Sequence, residues 1–169
     1  MTTLFWTTLE QIPGRATDTR EWQDWLGANW SFARRYLKRT GQQVRRMKCP
    51  YSGGEHCPRT VVQHSDGSVR AVCSDPAGLC DALDLSIEDI RIRELDVPLL
   101  LADIATALSV TPTPDRKAEP RLLHLGDHMI AAGRGVPVFA SLAALRDPLT
   151  ATDVLDLDRH HLPFVLLAT

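Results

Sequence analysis

The sequence predicts an α+β chain in two parts: an N-terminal amphipathic helix packed with a cysteine-clamped β-hairpin and a short helix, then a small β-rich α+β unit. Three observations predict it. A helix-periodic aromatic stripe fills residues 18–39. All four cysteines fall between Cys49 and Cys80 as two close pairs flanking two β-branched runs. Residues 111–120 hold three prolines and no large apolar side chain, the composition of a linker. The expected organisation is therefore 1–110, a linker at 111–120, and 121–169, the last with room to be the start of a longer region.

Taken in order, Leu4, Phe5, Trp6 and Leu9 precede Ile12-Pro13-Gly14 and read as an apolar anchor ending in a turn. Asp18-Thr-Arg-Glu21 is a capping box, because the aspartate can accept from the first free amides while the glutamate reaches back. From there a helix is expected to about Arg39. At 100° per residue, Trp22, Trp25, Leu26, Trp30, Phe32, Ala33, Tyr36 and Leu37 share one face, with Arg34, Arg35 and Lys38 opposite. The stripe reads as core rather than as a platform for stacking bases.

Seven basic residues and no acid occupy 34–48: Arg34, Arg35, Lys38, Arg39, Arg45, Arg46 and Lys48. Bases late in a helix complement its dipole, which accounts for Arg34, Arg35 and Lys38. It does not account for Arg45, Arg46 and Lys48, beyond the expected stop at Thr40-Gly41. The run is a candidate site for nucleic-acid phosphate or another polyanion.

The cysteines follow directly. Thr60-Val-Val-Gln63 and Ser68-Val-Arg-Ala-Val72 join through Ser65-Asp66-Gly67, an Asp-Gly hairpin signal, so Cys57 and Cys73 stand at the feet of one hairpin. Gly53, Gly54, Pro58, Pro76 and Gly78 let each paired segment curl. The start, Met1-Thr-Thr-Leu-Phe-Trp, lacks the basic flank and apolar run of a secretion signal, and a cytoplasmic location is expected. In a reducing compartment this cysteine count points to a metal rather than to disulfides.

The array of Cys49, seven residues, Cys57, fifteen, Cys73, six and Cys80 resembles the zinc-ribbon class over residues 49–80. There, two ligand-bearing turns at the base of a β-hairpin hold one tetrahedral ion. The resemblance implies one structural Zn²⁺ on Cys49, Cys57, Cys73 and Cys80. Ribbon turns usually place two to four residues between ligands; the intervals here are longer, which leaves His56 or His64 open as a replacement for one thiolate.

Past Cys80, Ser86 to Ile90 reads as a capped turn or short helix, residues 90–95 alternate as a strand, and Asp96 with Pro98 opens a short apolar helix. Residues 121–130 and 136–142 read as strands around Ala132-Gly-Arg-Gly135, followed by a helix near 147–157 and a strand at 163–168. His124 and His128 fit ordinary partly buried positions on a strand, and His160-His161 fits a loop.

With 44% hydrophobic and 24% charged residues, the 169-residue chain is globular in composition. Its net charge of -2 is uneven: eleven Lys and Arg against seven acids up to Cys80, eight against fourteen after it. Arg outnumbers Lys sixteen to three, a bias of GC-rich bacterial genomes. No Gly-x-Gly-x-x-Gly, Walker loop, or His-x-Glu with Pro-Cys-x-x-Cys occurs, and no catalytic residue is assigned. The expected function is a non-enzymatic bacterial zinc module that binds nucleic acid through its basic face, within a regulatory or larger assembly. Residues 121–169 are then free to contact a protein partner or a second copy. The alternative is a protein adaptor or assembly subunit, for example of a defence complex, with a purely structural zinc.

Overall fold

The computed structural model describes residues 3–12, 15–50, 57–74, 80–111, 122–141, 149–158 and 163–168. Helices and small sheets are interspersed, and the fold is α+β. Helix α1 (Thr3–Gln11) forms because Phe5, Leu9 and Ile12 recur at helical spacing and are all buried. Strand β1 (Ala16–Asp18) leads into α2 (Thr19–Leu26), whose first turn is capped by Asp18 accepting from the Glu21 amide at 2.8 Å.

The helix expected to run to Arg39 is interrupted and ends early. Gly27 closes α2 with φ +50, a conformation that favours glycine. The chain continues as a 3₁₀ turn at Gly27–Asn29, one α turn, α3 (Trp30–Ala33), and a second 3₁₀ turn at Arg34–Tyr36. It then becomes extended as β2 (Leu37–Gln43). Thr40-Gly41, expected as a helix stop, lies at an irregularity of this strand instead. The reason is tertiary: Leu37 pairs with Leu95, and the Asp96 amide donates to the Tyr36 carbonyl at 2.7 Å. Those partners fix extended backbone where local propensity favours helix.

Three sheets organise the described residues. In the first, β7 (Arg91–Leu95) lies between β1 and β2, antiparallel to both. The second is a meander of β3 (Arg46–Met47), β4 (Arg59–Gln63), β5 (Val69–Cys73) and β6 (Leu83–Leu85). It is an excursion from the first sheet that leaves and returns at one place. Gln43 pairs with Arg91, and the Val44 amide donates to the Ile90 carbonyl at 2.8 Å. Its β4–β5 turn is the one expected from Asp66-Gly67: Gly67 has φ +86, the His64 amide donates to Ser68, and the Asp66 carboxylate accepts from the Ser68 amide and hydroxyl.

Helix α4 (Val97–Ala107) starts as expected, with Asp96 accepting from the Leu99 amide and Pro98 in the first turn. The third sheet has the order β11-β10-β9-β8, from β8 (Val110–Thr111), β9 (Leu123–Ala131), β10 (Arg134–Ser141) and β11 (Val165–Ala168). Strands β9 and β10 form the expected hairpin, and β11 returns parallel to β10 after α5 (Ala151–Asp158). His124 is half-buried against Phe139 as expected, whereas His128, expected to be partly buried, is exposed and meets the Leu108 carbonyl at 3.0 Å.

Two apolar clusters hold these layers. The larger joins Phe5, Leu9, Trp22, Leu26, Tyr36 and Leu95, with the Trp22 indole donating to the Arg93 carbonyl at 3.0 Å. The smaller joins Ala105, Val110, Leu125, Val138 and Ala140. Leu101 and Ile104 of α4 pack against both. No helix among the described residues is long and apolar enough to cross a membrane.

Gly126 of β9 has φ +139, and a methyl group there would run into the Thr111 carbonyl of β8. Gly126→Ala is expected to lower stability by about 1–3 kcal/mol through overpacking, read from the urea midpoint. An unchanged midpoint would show that β8 is held elsewhere.

Residues 112–120, which carry the expected linker, lie outside the described residues, as do His56, the curling segments 51–56 and 75–79, and His160-His161. The division into units at the Pro-rich stretch is a proposal that limited proteolysis checks. First cleavage at Arg116 or Lys117 is expected, and resistance there while other bonds are cut would place both halves on one core.

Candidate metal centre

The meander brings the cysteines to one end of its sheet. Cys49 follows β3 by two residues, Cys57 precedes β4 by two, Cys73 ends β5 and Cys80 precedes β6 by three. In an antiparallel meander these four places share an edge, opposite the 64–68 turn. His64 belongs to that turn, five residues and about 17 Å along the strand from Arg59. It is therefore not a substitute ligand.

Cys49, Cys57 and Cys80 place their sulfurs within 4.8 Å of one another, and the Cys49 and Cys80 sulfurs are 3.9 Å apart. The Cys73 sulfur lies 3.1 Å from that of Cys57. All four are free thiols, and both separations are well beyond a disulfide bond of about 2.05 Å. Sulfurs held tetrahedrally at about 2.3 Å from one ion stand about 3.8 Å apart, so Cys49, Cys57 and Cys80 could hold a metal ion, with Cys73 beside Cys57 but outside that group of three. Crowding works against ionisation without one: hydrogen bonding to Cys73, then burial and the neighbouring Cys80, push the Cys57 thiol up to about 12. A cation that binds must displace these protons, so its affinity falls as pH falls.

Arg59 completes the centre. It is fully buried at the foot of β4. Its Nε and Nη2 each donate to the Cys49 sulfur at 3.4 Å, while Nη1 donates to the Ala71 and Asp81 carbonyls at 3.1 and 2.7 Å. A guanidinium stays charged in proteins, and a buried charge must be paired. Four thiolates around a dication would leave two negative charges, of which Arg59 offsets one. The sequence reading missed this residue. Its signal was periodicity: Arg59 and Val61 oppose Cys73 and Ala71 and share the face that buries Val69 and Ala71, so an arginine stands at an inward position beside a cysteine.

The basic run is distributed rather than gathered on one helical face. Arg35 lies over the Phe32 and Tyr36 rings and pairs with Asp103 of α4 at 2.8 Å. Lys38 pairs with Glu94 at 3.7 Å, and Arg39 with Glu88 at 3.3 Å. As neighbours on a strand, Lys38 and Arg39 point to opposite sides of the sheet. Lys48 pairs with Glu21 of α2 at 2.8 Å. Burial would raise the Glu21 carboxyl, but hydrogen bonds from Lys48 and Thr17 outweigh it and hold the group below its ordinary value. Arg34, Arg45 and Arg46 are exposed and have no acidic partner among the described residues.

Between α2 and the chain following β2 lies a cleft of about 590 Å³, with Trp25, Asp24 and Arg20 on one wall and Arg46, Met47 and Pro50 on the other. Of the aromatic stripe, Trp22 and Tyr36 are core as expected, whereas Trp25 is 37% exposed and Phe32 50%.

No family model, curated protein or solved structure matches the chain.

Proposed function

We propose that the cluster is a closed zinc centre of the ribbon kind, with Cys49, Cys57, Cys73 and Cys80 as its ligands. A soft four-sulfur set favours zinc or iron over harder ions, and a filled sphere leaves no position for substrate, which supports a structural role. The module it staples then acts as a non-enzymatic nucleic-acid-binding unit. The observation that carries this reading is the set of exposed arginines without acidic partners among the described residues, Arg34, Arg45 and Arg46, the last two shortly before Cys49. Arg35, Lys38, Arg39 and Lys48 are engaged with acids and contribute less to phosphate contact.

The salt dependence of binding tests it. Three neutralised phosphates on duplex give a slope of log affinity against log salt near -2.7, about 0.9 per contact. Arg45→Glu with Arg46→Glu is expected to weaken binding on every sequence and flatten that slope. Arg70→Gln, which removes an arginine already paired with Asp84, is expected to leave it unchanged. Absence of binding to duplex, single strand or RNA at about 50 mM salt would remove the reading.

The adaptor alternative has its own support. Met129 and Ile130, near the end of the β9–β10 hairpin, are 48% and 60% exposed, in the acidic part of the chain. Salt-resistant co-purification with a single protein, lost in Met129→Lys with Ile130→Lys, would favour it.

A further inference from the structure

Trp25 and Trp22 stand one helical turn apart on α2 yet have opposite fates. Trp22 is sealed in the core, whereas Trp25 remains over a third exposed and lines the cleft beside the metal centre. Charge in the cleft is selectively cancelled. Lys48 is neutralised by Glu21, and Asp18 is buried and engaged in capping α2. That leaves two guanidinium groups without acidic partners among the described residues, Arg20 and Arg46, and one such carboxylate, Asp24. Met47 and Pro50 supply apolar surface on the facing wall.

We infer that this cleft takes one unstacked nucleotide of a single strand, its base stacked on Trp25 and its phosphate on Arg46 and Arg20. The inference rests on the nucleic-acid reading above and names the form of nucleic acid selected. An indole offers a face to any base, a guanidinium matches phosphate geometry, and a carboxylate accepts from exocyclic amines. The volume falls in the range of small-ligand sites, roughly 300–1,000 Å³, enough for one nucleotide. A duplex keeps its bases inside the stack and has none to offer without flipping one out. A basic peptide would meet the two free guanidinium groups.

The test uses the full metal-loaded chain, with labelled oligonucleotides of about 12 nucleotides as oligo(dT), oligo(U) and a mixed-sequence duplex, followed by anisotropy and tryptophan fluorescence. Single strands are expected to bind more tightly than duplex and to quench tryptophan emission. Trp25→Ala is expected to lower single-strand affinity roughly 5- to 150-fold, the range for loss of one stacked base, and to leave duplex affinity unchanged. Trp25→Phe should retain most of the affinity, and metal content should not change in either variant. Equal binding of single strand and duplex, with no effect of Trp25→Ala on either, would overturn the cleft assignment while leaving phosphate binding in place. No binding of any nucleic acid would overturn both. Quenching by a short Lys- and Arg-containing peptide but not by oligonucleotides would make the cleft a peptide groove and overturn the inference.

Discussion

Chelation of the metal, or Cys57→Ser, is expected to unfold the β3–β6 sheet while the packing of α1 on α2 persists. The sheet's inner face buries little apolar area, since Val69 and Ala71 are its fully buried aliphatic side chains among the described residues. Neither belongs to the two larger clusters. At about 25 cal/mol per Å², so small a face cannot offset the ordering of some 30 residues at roughly 1–2 kcal/mol each for backbone alone. A structural zinc supplies an apparent 10–16 kcal/mol in small peptides, which offsets part of that cost. The measurement is amide exchange: protection in β4 and β5 should vanish with the metal, while the Trp22 region stays protected. Retained protection in metal-free protein, or no metal on elemental analysis of protein purified without chelator, would show that the sheet stands without a staple.

Arg59→Met is expected to be the most damaging substitution outside the cysteines. It keeps most of the side-chain volume but leaves the Ala71 and Asp81 carbonyls without their donor and the Cys49 sulfur without its cation. Breaking one partner of a buried charged pair costs about 3–5 kcal/mol, and losing a residue that orients a metal ligand lowers metal affinity about 10- to 100-fold. Arg59→Lys should not rescue it, because a single ammonium cannot span two carbonyls and a sulfur as a planar fork does. Urea midpoints and competition with a metallochromic chelator read the two effects separately. A variant with unchanged midpoint and affinity would reduce Arg59 to packing.

What could be read from the chain was what is decided within a few residues. Asp18, Asp66-Gly67, and Asp96 with Pro98 state their caps and turn locally, and each is formed, although the Glu21 carboxylate takes Thr17 and Lys48 rather than reaching back as a capping box would have it. The β9–β10 hairpin follows from its glycines and alternation. What could not be read depends on residues far along the chain. Leu37 is extended because Leu95 pairs with it, so a stripe with helical arithmetic ends as strand. Arg35, Lys38 and Arg39 find Asp103, Glu94 and Glu88, acids about 50 to 70 positions away that a count of local charge does not see. Arg59 is legible as inward by alternation, but the acceptors it donates to, the Cys49 sulfur and the Asp81 carbonyl, are brought to it only by the meander.

The excursion that begins beyond Gln43 and returns at Arg91 bears on the order of assembly. Pairing of β2 with β7 must close a loop of roughly 50 flexible residues, and a slow logarithmic penalty attaches to its length. Metal capture between Cys49 and Cys80 would short-circuit most of that loop, leaving roughly 20 residues to search and easing closure by about 1 kcal/mol. A bound ion would thus aid the folding of a sheet that holds none of its proposed ligands. Because the insert meets its host at adjacent backbone positions, its length and internal sequence could drift without disturbing the register of the strands from which it departs.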